Sequence, residues 1–165
     1  MVAYAKRAPA GSPGDVSRNA FRNIPPRDLS TTNPPTYYGA PVKMVANQAE
    51  AIEAGDTAAD FYGVIVRQAY GVDGAPLVID PGFGAGTPDP EVEAAIMTDG
   101  YILVTCNVGT PVIGAPVYMR VVAAPPLEVG DFEATPDGAN NVLLPGVTFS
   151  VAGTDSSNVT EIFIK

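Results

Sequence analysis

Carboxylates are the main candidates for chemistry in this sequence. The 165 residues include no His and only one Cys. This composition excludes imidazole bases, Ser–His or Cys–His nucleophiles and thiolate zinc clusters. Glu91 and Glu93 flank Val92 and would share one face of a predicted strand, as a paired-carboxylate site requires. The same spacing is far more typical of a solvated strand face, and we favour that interpretation.

Two pairs of aspartates could offer oxygen ligands to calcium, Asp56 with Asp60 and Asp73 with Asp80. Neither pair has the alternating acidic residues, closed by a glutamate, that a calcium-binding loop uses. We predict that these aspartates cap turns and keep the protein soluble. The sequence therefore predicts no metal site.

The glycines of residues 82–86 (GFGAG) resemble a phosphate-binding loop. Such a loop should lead into a helix, but the sequence continues as Thr-Pro-Asp-Pro over residues 87–90. We predict a surface loop with Phe83 at its tip as a contact residue. With no cofactor motif and no catalytic constellation, we expect a protein that is not an enzyme and needs no cofactor.

Charge is divided unequally along the chain. Residues 1–45 hold six basic and two acidic side chains, a net charge of +4, together with seven prolines. Residues 46–165 hold three basic and sixteen acidic side chains, a net charge of −13. A Pro-rich basic stretch cannot build a core of its own. We therefore predict an extended basic arm over residues 1–36 and a folded acidic body over residues 37–165, a distribution that argues against nucleic acid as the main partner.

The cysteine and the apolar runs predict the compartment in which the protein is made. Cys106 lies in the apolar run 101–106, which predicts a buried, inert thiol and a reducing compartment. No apolar run has the length of a membrane span, and residues 1–20 lack the apolar stretch of a secretion signal. We expect synthesis in the cytoplasm, and the Asn158-Val159-Thr160 sequon then carries no meaning.

The body is predicted to be all-β. β-branched and aromatic runs recur about every ten residues and are separated by Gly, Pro and Asp-Gly turns, as in a sandwich or barrel. Asp99-Gly100, between two apolar runs, predicts a hairpin. Residues 48–60 are the one plausible helix, with a loop as the alternative. The predicted strands span residues 38–42 (at a sheet edge that tolerates Pro41), 61–70, 74–80, 92–97, 101–107, 115–124, 129–134, 140–144, 147–151 and 159–164.

The order of several segments resembles the capsid cement (decoration) proteins of tailed bacteriophages. The similarity spans nearly the whole chain and rests on order and spacing, since each segment is a short glycine-and-apolar pattern. The segments are AGSPGDVSR (10–18), YYGAPVKM (37–44), FYGVIVRQ (61–68), GAPVYMRV (114–121), and the ending from Gly130-Asp131-Phe132 through Asn140-Asn141 to Glu161-Ile162.

The resemblance implies a jelly-roll-like β-sandwich or barrel on the outside of a phage head, synthesised in the host bacterial cytoplasm. Its partner would be the major capsid protein, whose neighbouring subunits it would cement together. It implies no catalytic residues. We expect a homo-oligomer, with a trimer preferred and a dimer second, and no direct contact with nucleic acid or membrane.

The predicted capsid contacts are the basic side chains of the arm, which would gain order on binding and speed encounter with an acidic shell. Deleting residues 1–36 is expected to leave a folded body that binds heads poorly. The contact residues are Lys6, Arg7, Arg18, Arg22 and Arg27.

Two other functions fit a β-rich chain less well. A carbohydrate-binding or host-attachment module of a virion would need an exposed aromatic platform, yet there is no Trp and most Tyr residues fall within predicted strands. A carboxylate-based hydrolase would need clustered acidic residues, and no spacing in the sequence supplies them.

Overall fold

The structure, a computed structural model, describes residues 11–19, 22–67 and 87–165. Ten strands and no helix lie in these ranges, which confirms the all-β prediction. The strands are β1 (Pro26–Arg27), β2 (Pro41–Val45), β3 (Gln48–Ala51), β4 (Gly63–Ile65), β5 (Ala94–Met97), β6 (Gly100–Val108), β7 (Pro116–Arg120), β8 (Phe132–Glu133), β9 (Asn141–Phe149) and β10 (Val159–Ile164).

The strands form an open sheet and a closed barrel. The sheet has the order β1-β5-β4-β2-β3 and is antiparallel throughout. The barrel has the order β10-β6-β8-β7-β9, in which only β6 and β8 run parallel. The barrel closes through β9 and β10, but the short β8 pairs only with Cys106 and Val108, so the first half of β6 is left open on that side. This strand order does not confirm the jelly-roll part of the prediction.

Alternating side chains fill two apolar cores. In β7, Val117 and Met119 point into the barrel while Pro116 and Tyr118 face outward. The barrel core also contains Phe132 and residues of β6, β9 and β10. A smaller core lies on the sheet and contains Leu29, Ala40, Val42, Ala49, Ile65, Ala94 and Ile96.

The predicted hairpin at Asp99-Gly100 is wrong. Its two strands do not pair, because β5 belongs to the sheet and β6 to the barrel. Gly100 instead pairs with Ile164 of β10, and Asp99 bridges to Asn23 of the arm. A turn dipeptide predicts a change of chain direction, whereas strand partners are decided by the wider packing.

Residues 48–60 do not form the predicted helix, and the alternative of a loop holds for most of them. They begin with β3, which pairs with β2 through a tight turn in which Ala46 and Asn47 have positive φ. The rest of the stretch turns on aspartate caps. The Asp56 carboxylate accepts from the Glu53 N–H at 2.7 Å, and the Asp60 carboxylate accepts from the Thr57 N–H at 2.7 Å. These contacts confirm the capping role predicted for this pair.

Three further boundaries differ from prediction. Pro41 is not on an edge strand, because β2 lies between β4 and β3, but it stands at the strand's first position, beyond the end of β3. β5 starts at Ala94, so Glu91 and Glu93 precede it and share no strand face. Pro145-Gly146 does not separate two strands, since β9 continues through it with a register shift in its pairing with β7.

Predictions for residues 68–86 lie outside the described residues. They include residues 68–70 of the strand predicted at 61–70, whose described part is a strand only over Gly63–Ile65, and also the strand at 74–80, the Asp73/Asp80 pair and the glycine loop with Phe83. Cys106 is buried as predicted, and burial raises the pKa of its thiol to about 11, which keeps it protonated.

Candidate binding surface

Residues 14–17 of the arm lie antiparallel along β6. The Gly14 N–H donates to the Leu103 carbonyl at 2.7 Å, the Leu103 N–H donates to the Asp15 carbonyl at 3.0 Å, and the Ser17 N–H donates to the Tyr101 carbonyl at 3.2 Å. Together these bonds add a short strand to the outside of the barrel. The sequence pattern missed this pairing because Val16 is the only large apolar residue in the segment.

Gly14 fixes the arm at the point where it also meets the sheet. It has a φ of +86°, and its carbonyl accepts from the Arg67 N–H at 2.8 Å. A Cβ at this position would lie 2.8 Å from the Tyr38 Cβ and 3.0 Å from the Gly39 nitrogen. Only glycine therefore permits both the conformation and the close approach of the two backbones.

Arg18 is held on the barrel surface by a carboxylate and a ring. Its Nη2 and Nε donate to the two Glu161 oxygens at 2.5 and 3.2 Å. Its guanidinium carbon lies 4.5 Å from the centroid of the Tyr101 ring, which stacks on Phe163 at 4.7 Å. The hydrogen bond to Glu161 raises the pKa of Arg18. About half of its side chain stays exposed.

Arg27 is held on the sheet in a similar way. Its Nη2 and Nε donate to the Tyr62 hydroxyl at 2.7 and 3.1 Å. The guanidinium carbon is 5.6 Å from the Tyr62 ring centroid. Met44 and Asn47 complete an open groove beside this pair. Arg18 and Arg27 thus lie on different parts of the fold and form no joint site.

Residues 28–33 pair with β3 and cover the second edge of the sheet. The Ala49 N–H donates to the Asp28 carbonyl at 2.8 Å, and the Ser30 N–H donates to the Ala49 carbonyl at 2.9 Å. Leu29 is only 2 % exposed and belongs to the sheet core. The arm therefore contributes to the body's packing over this stretch, which the lack of apolar periodicity did not indicate. The boundary at residue 36 stays a prediction.

Arg22 is the most available of the predicted contacts. Its side chain is exposed and has no ion-pair partner among the residues that the structure describes. Lys6 and Arg7 lie outside the described residues. Of the five predicted contacts, Arg18 and Arg27 therefore have intramolecular partners, and Arg22 has no ion pair within the described residues. The structure does not describe the other two.

A second exposed surface, on the loop between β6 and β7, was missed by sequence reasoning. Val112 and Ile113 are 59 % and 67 % exposed, the largest values among the bulky apolar residues described. Two glycines with positive φ, Gly109 and Gly114, bracket them. The pattern Gly-Thr-Pro-Val-Ile-Gly was available in the sequence as a sign of a short projecting loop.

A charge network with Arg120 and Glu133 buried at its centre lies where β7 and β8 end and β9 begins. Arg120 Nε donates to Glu133 at 2.5 Å and Nη2 to Asp137 at 2.9 Å, while Asn141 Nδ2 donates to the second Glu133 oxygen at 2.5 Å. The hydrogen bond to Glu133 raises the pKa of Arg120, and that to Arg120 lowers the pKa of Asp137. Both Glu133 oxygens are paired with side chains of neighbouring strands, so the network joins β7, β8 and β9.

Metal ligands are not assembled in the described ranges, where no group of three His, Cys, Asp or Glu side chains could hold an ion. Residues 11–19, 22–67 and 87–165 also contain no helix long and apolar enough to cross a bilayer.

A family model and a solved structure each match all or nearly all of the chain. A family model described as "Structural cement protein (E217 gp24/Pam3 gp6)" matches residues 2–165. The fold is similar to a chain in the solved structure titled "The capsid of Myoviridae Phage XM1", with a TM-score of 0.71 and 17% sequence identity. That likeness covers 100% of this chain and 94% of the other. A search of curated proteins returned no match.

Proposed function

The chain belongs to the structural cement protein family of bacteriophages and is a capsid-stabilising structural protein of the virion, and we propose that it acts from the outer surface of the head. There it would bridge neighbouring subunits of the major capsid protein. The observation that carries the proposal is the family match over residues 2–165. Synthesis in the host bacterial cytoplasm, before assembly onto the head, is part of the proposal.

We propose that the basic arm, residues 1–36, makes the first contact with the shell. Residues 14–17 of the arm lie along the barrel and residues 26–33 along the sheet, so Arg18 and Arg27 bring positive charge to two parts of a body that is otherwise acidic. Arg22, Arg18, Arg27, Lys6 and Arg7 are the proposed capsid contacts. Arg22 is free to pair with a carboxylate, and the half-exposed guanidinium of Arg18 can accept a second anionic partner without leaving Glu161.

The proposed role involves no catalysis and no cofactor. The family description, which names a structural protein, supports this. A carbohydrate-binding module gains no support from the described surface, where Tyr37 is the one aromatic residue among the exposed large apolar side chains.

We further propose that the protein is a homo-oligomer, a trimer in preference to a dimer. Several copies held together would each contribute an arm, so that modest contacts combine into tight attachment. Sedimentation at micromolar concentration measures the mass of the free protein, and a monomer would contradict this part of the proposal.

The salt dependence of capsid binding, measured after one basic side chain is removed, tests the role of the arm. Arg22→Ser should weaken co-sedimentation with capsid heads, most clearly at low ionic strength, because exposed charges act over about 8–10 Å and are screened by salt. Lys165→Ser is the matched control, because Lys165 is exposed on the barrel and its replacement also removes a single positive charge. Equal binding by both variants across the salt series would show that the charge of Arg22 does not guide attachment.

A further inference from the structure

We propose that the apolar loop between β6 and β7 of one copy inserts Ile113 into a cleft between the sheet and the barrel of a second copy. The proposal deepens, and rests on, the proposed homo-oligomer by naming the surfaces that hold it together. Both surfaces are present on this chain, but within one molecule the loop does not contact the cleft.

The projecting loop is built to present its side chains without further ordering. The Ala115 N–H donates to the Val112 carbonyl at 2.9 Å, which closes a tight turn with Gly114 at a φ of +78°. Pro111 is buried, and its carbonyl accepts from the Gly153 N–H at 2.9 Å. A loop fixed in this way loses little conformational entropy on binding.

The cleft has an apolar floor and room for the tip of one branched side chain. Its volume is about 70 Å³, below the roughly 150 Å³ that accommodates benzene. Pro35, Pro41, Ile52 and Val129 line it, with the partly exposed Tyr37 at its side.

Charge permits this contact between two copies, although their bodies are acidic. The chain from residue 46 onward has a net charge of −13, so two bodies repel each other at most approaches. Residues 109–116 carry no charge, whereas the cleft has Glu128 in its lining. An uncharged loop meets this acidic lining without like-charge repulsion.

The two surfaces lie at opposite ends of β7. The loop ends at Ala115, immediately before the strand, and Gly130 of the cleft donates its N–H to the carbonyl of Arg120, the last residue of the strand, at 2.9 Å. Five strand residues separate them by about 17 Å. The contact is therefore head-to-tail, and such contacts close into a ring when the rotation between copies permits.

Paired cysteines test the contact directly. Ile113→Cys and Thr36→Cys place thiols on the loop and on an exposed position of the cleft lining, and Cys106 stays silent because it is buried and protonated. Under mild oxidation a mixture of the two single variants should form a disulfide-linked dimer, whereas either variant alone should stay uncross-linked. Ala139→Cys, an exposed turn residue, replaces Ile113→Cys in the control mixture.

Association should also weaken when the loop loses its apolar tip. Ile113→Asp should raise the dissociation constant measured by sedimentation about tenfold or more, with an unchanged melting temperature of the protomer. Cross-linking of Ile113→Cys with itself would indicate a symmetric contact and overturn the proposal. No cross-link above the Ala139→Cys control would overturn it too.

Binding to capsid heads separates this contact from the proposed function. An Ile113→Asp protein with the wild-type mass that no longer co-sediments with heads would assign the loop to a capsid subunit and overturn the contact between copies. If heads bind the wild-type protein but no cross-link forms, only the contact fails. If the cross-link forms but heads bind no protein, the proposed function fails and the contact stands.

Discussion

At the scale of single residues, the buried guanidinium of Arg120 is paired with carboxylates. Arg120 meets Glu133 inside and Asp137 at the surface, so one guanidinium serves two carboxylates from different segments. Removing one member would leave the others desolvated without a partner, which costs more than the pair contributes in net terms. Sequence reasoning placed Arg120 in a strand but could not indicate its partners, because they follow it by 13 and 17 positions.

Asp137→Asn should reduce stability at neutral pH and should not do so in acid. The hydrogen bond from Arg120 lowers the pKa of Asp137 in the folded protein, so this contribution is complete above the unfolded pKa of about 4 and is lost as pH falls through the folded value. The melting temperatures of variant and wild type should converge below about pH 4. Glu91→Gln, at an exposed carboxylate with no ion pair in the described ranges, should show no such convergence.

At the scale of elements, local pattern identified strands better than it identified their partners. β10 was predicted with its observed bounds, because a run of β-branched and aromatic residues follows the turn residues Gly153-Thr154-Asp155. The Asp99-Gly100 hairpin failed because β5 pairs within the sheet and β6 pairs within the barrel. The arm's pairing with β6, β5 and β3 was not predictable, since backbone hydrogen bonds leave no mark on side-chain periodicity.

Gly14→Ala should loosen the arm from the barrel. The substitution puts a Cβ within 3.0 Å of three atoms at a φ of +86°, which should cost about 2 kcal/mol or more of folding free energy. Gly55→Ala is the matched control, because Gly55 has a φ of +89° but nothing within 4 Å of a Cβ. It should cost about 1 kcal/mol from the backbone alone. Chemical denaturation measures both, and equal losses would mean that the close approach to Tyr38 and Gly39 contributes nothing.

At the scale of the whole molecule, the arm joins the two halves of the fold. Residues 14–17 contact the barrel, and residues 26–33 pair with the outer strands of the sheet. The recurrence of strand and turn residues correctly indicated an all-β molecule, and the order of short segments correctly indicated the family it resembles. It did not indicate that the basic segment helps to build the core, because a single leucine among polar and proline residues carries no period.

Deleting residues 1–36 should now be expected to lower stability as well as head binding. The deletion removes Leu29, whose burial is worth about 2 kcal/mol, and exposes both edges of the sheet. Deleting residues 1–19 should lower the melting temperature less, since Leu29 and the pairing with β3 and β5 remain. Melting curves for the two deletions measure this difference, and equal melting temperatures would show that the sheet does not depend on residues 22–36.

The side-by-side pairing of residues 14–17 with β6 has a mechanical consequence. Its three hydrogen bonds lie across the direction of the chain, so a pull along the arm loads them together in shear instead of opening them one at a time. Resistance then depends on the joint rupture of all three bonds, with the Arg18 contact to Glu161 adjoining them. Outward strain of a shell that holds the arm would load these hydrogen bonds in shear, the direction in which they resist best. A pull at right angles to the strand would break them one at a time from its end.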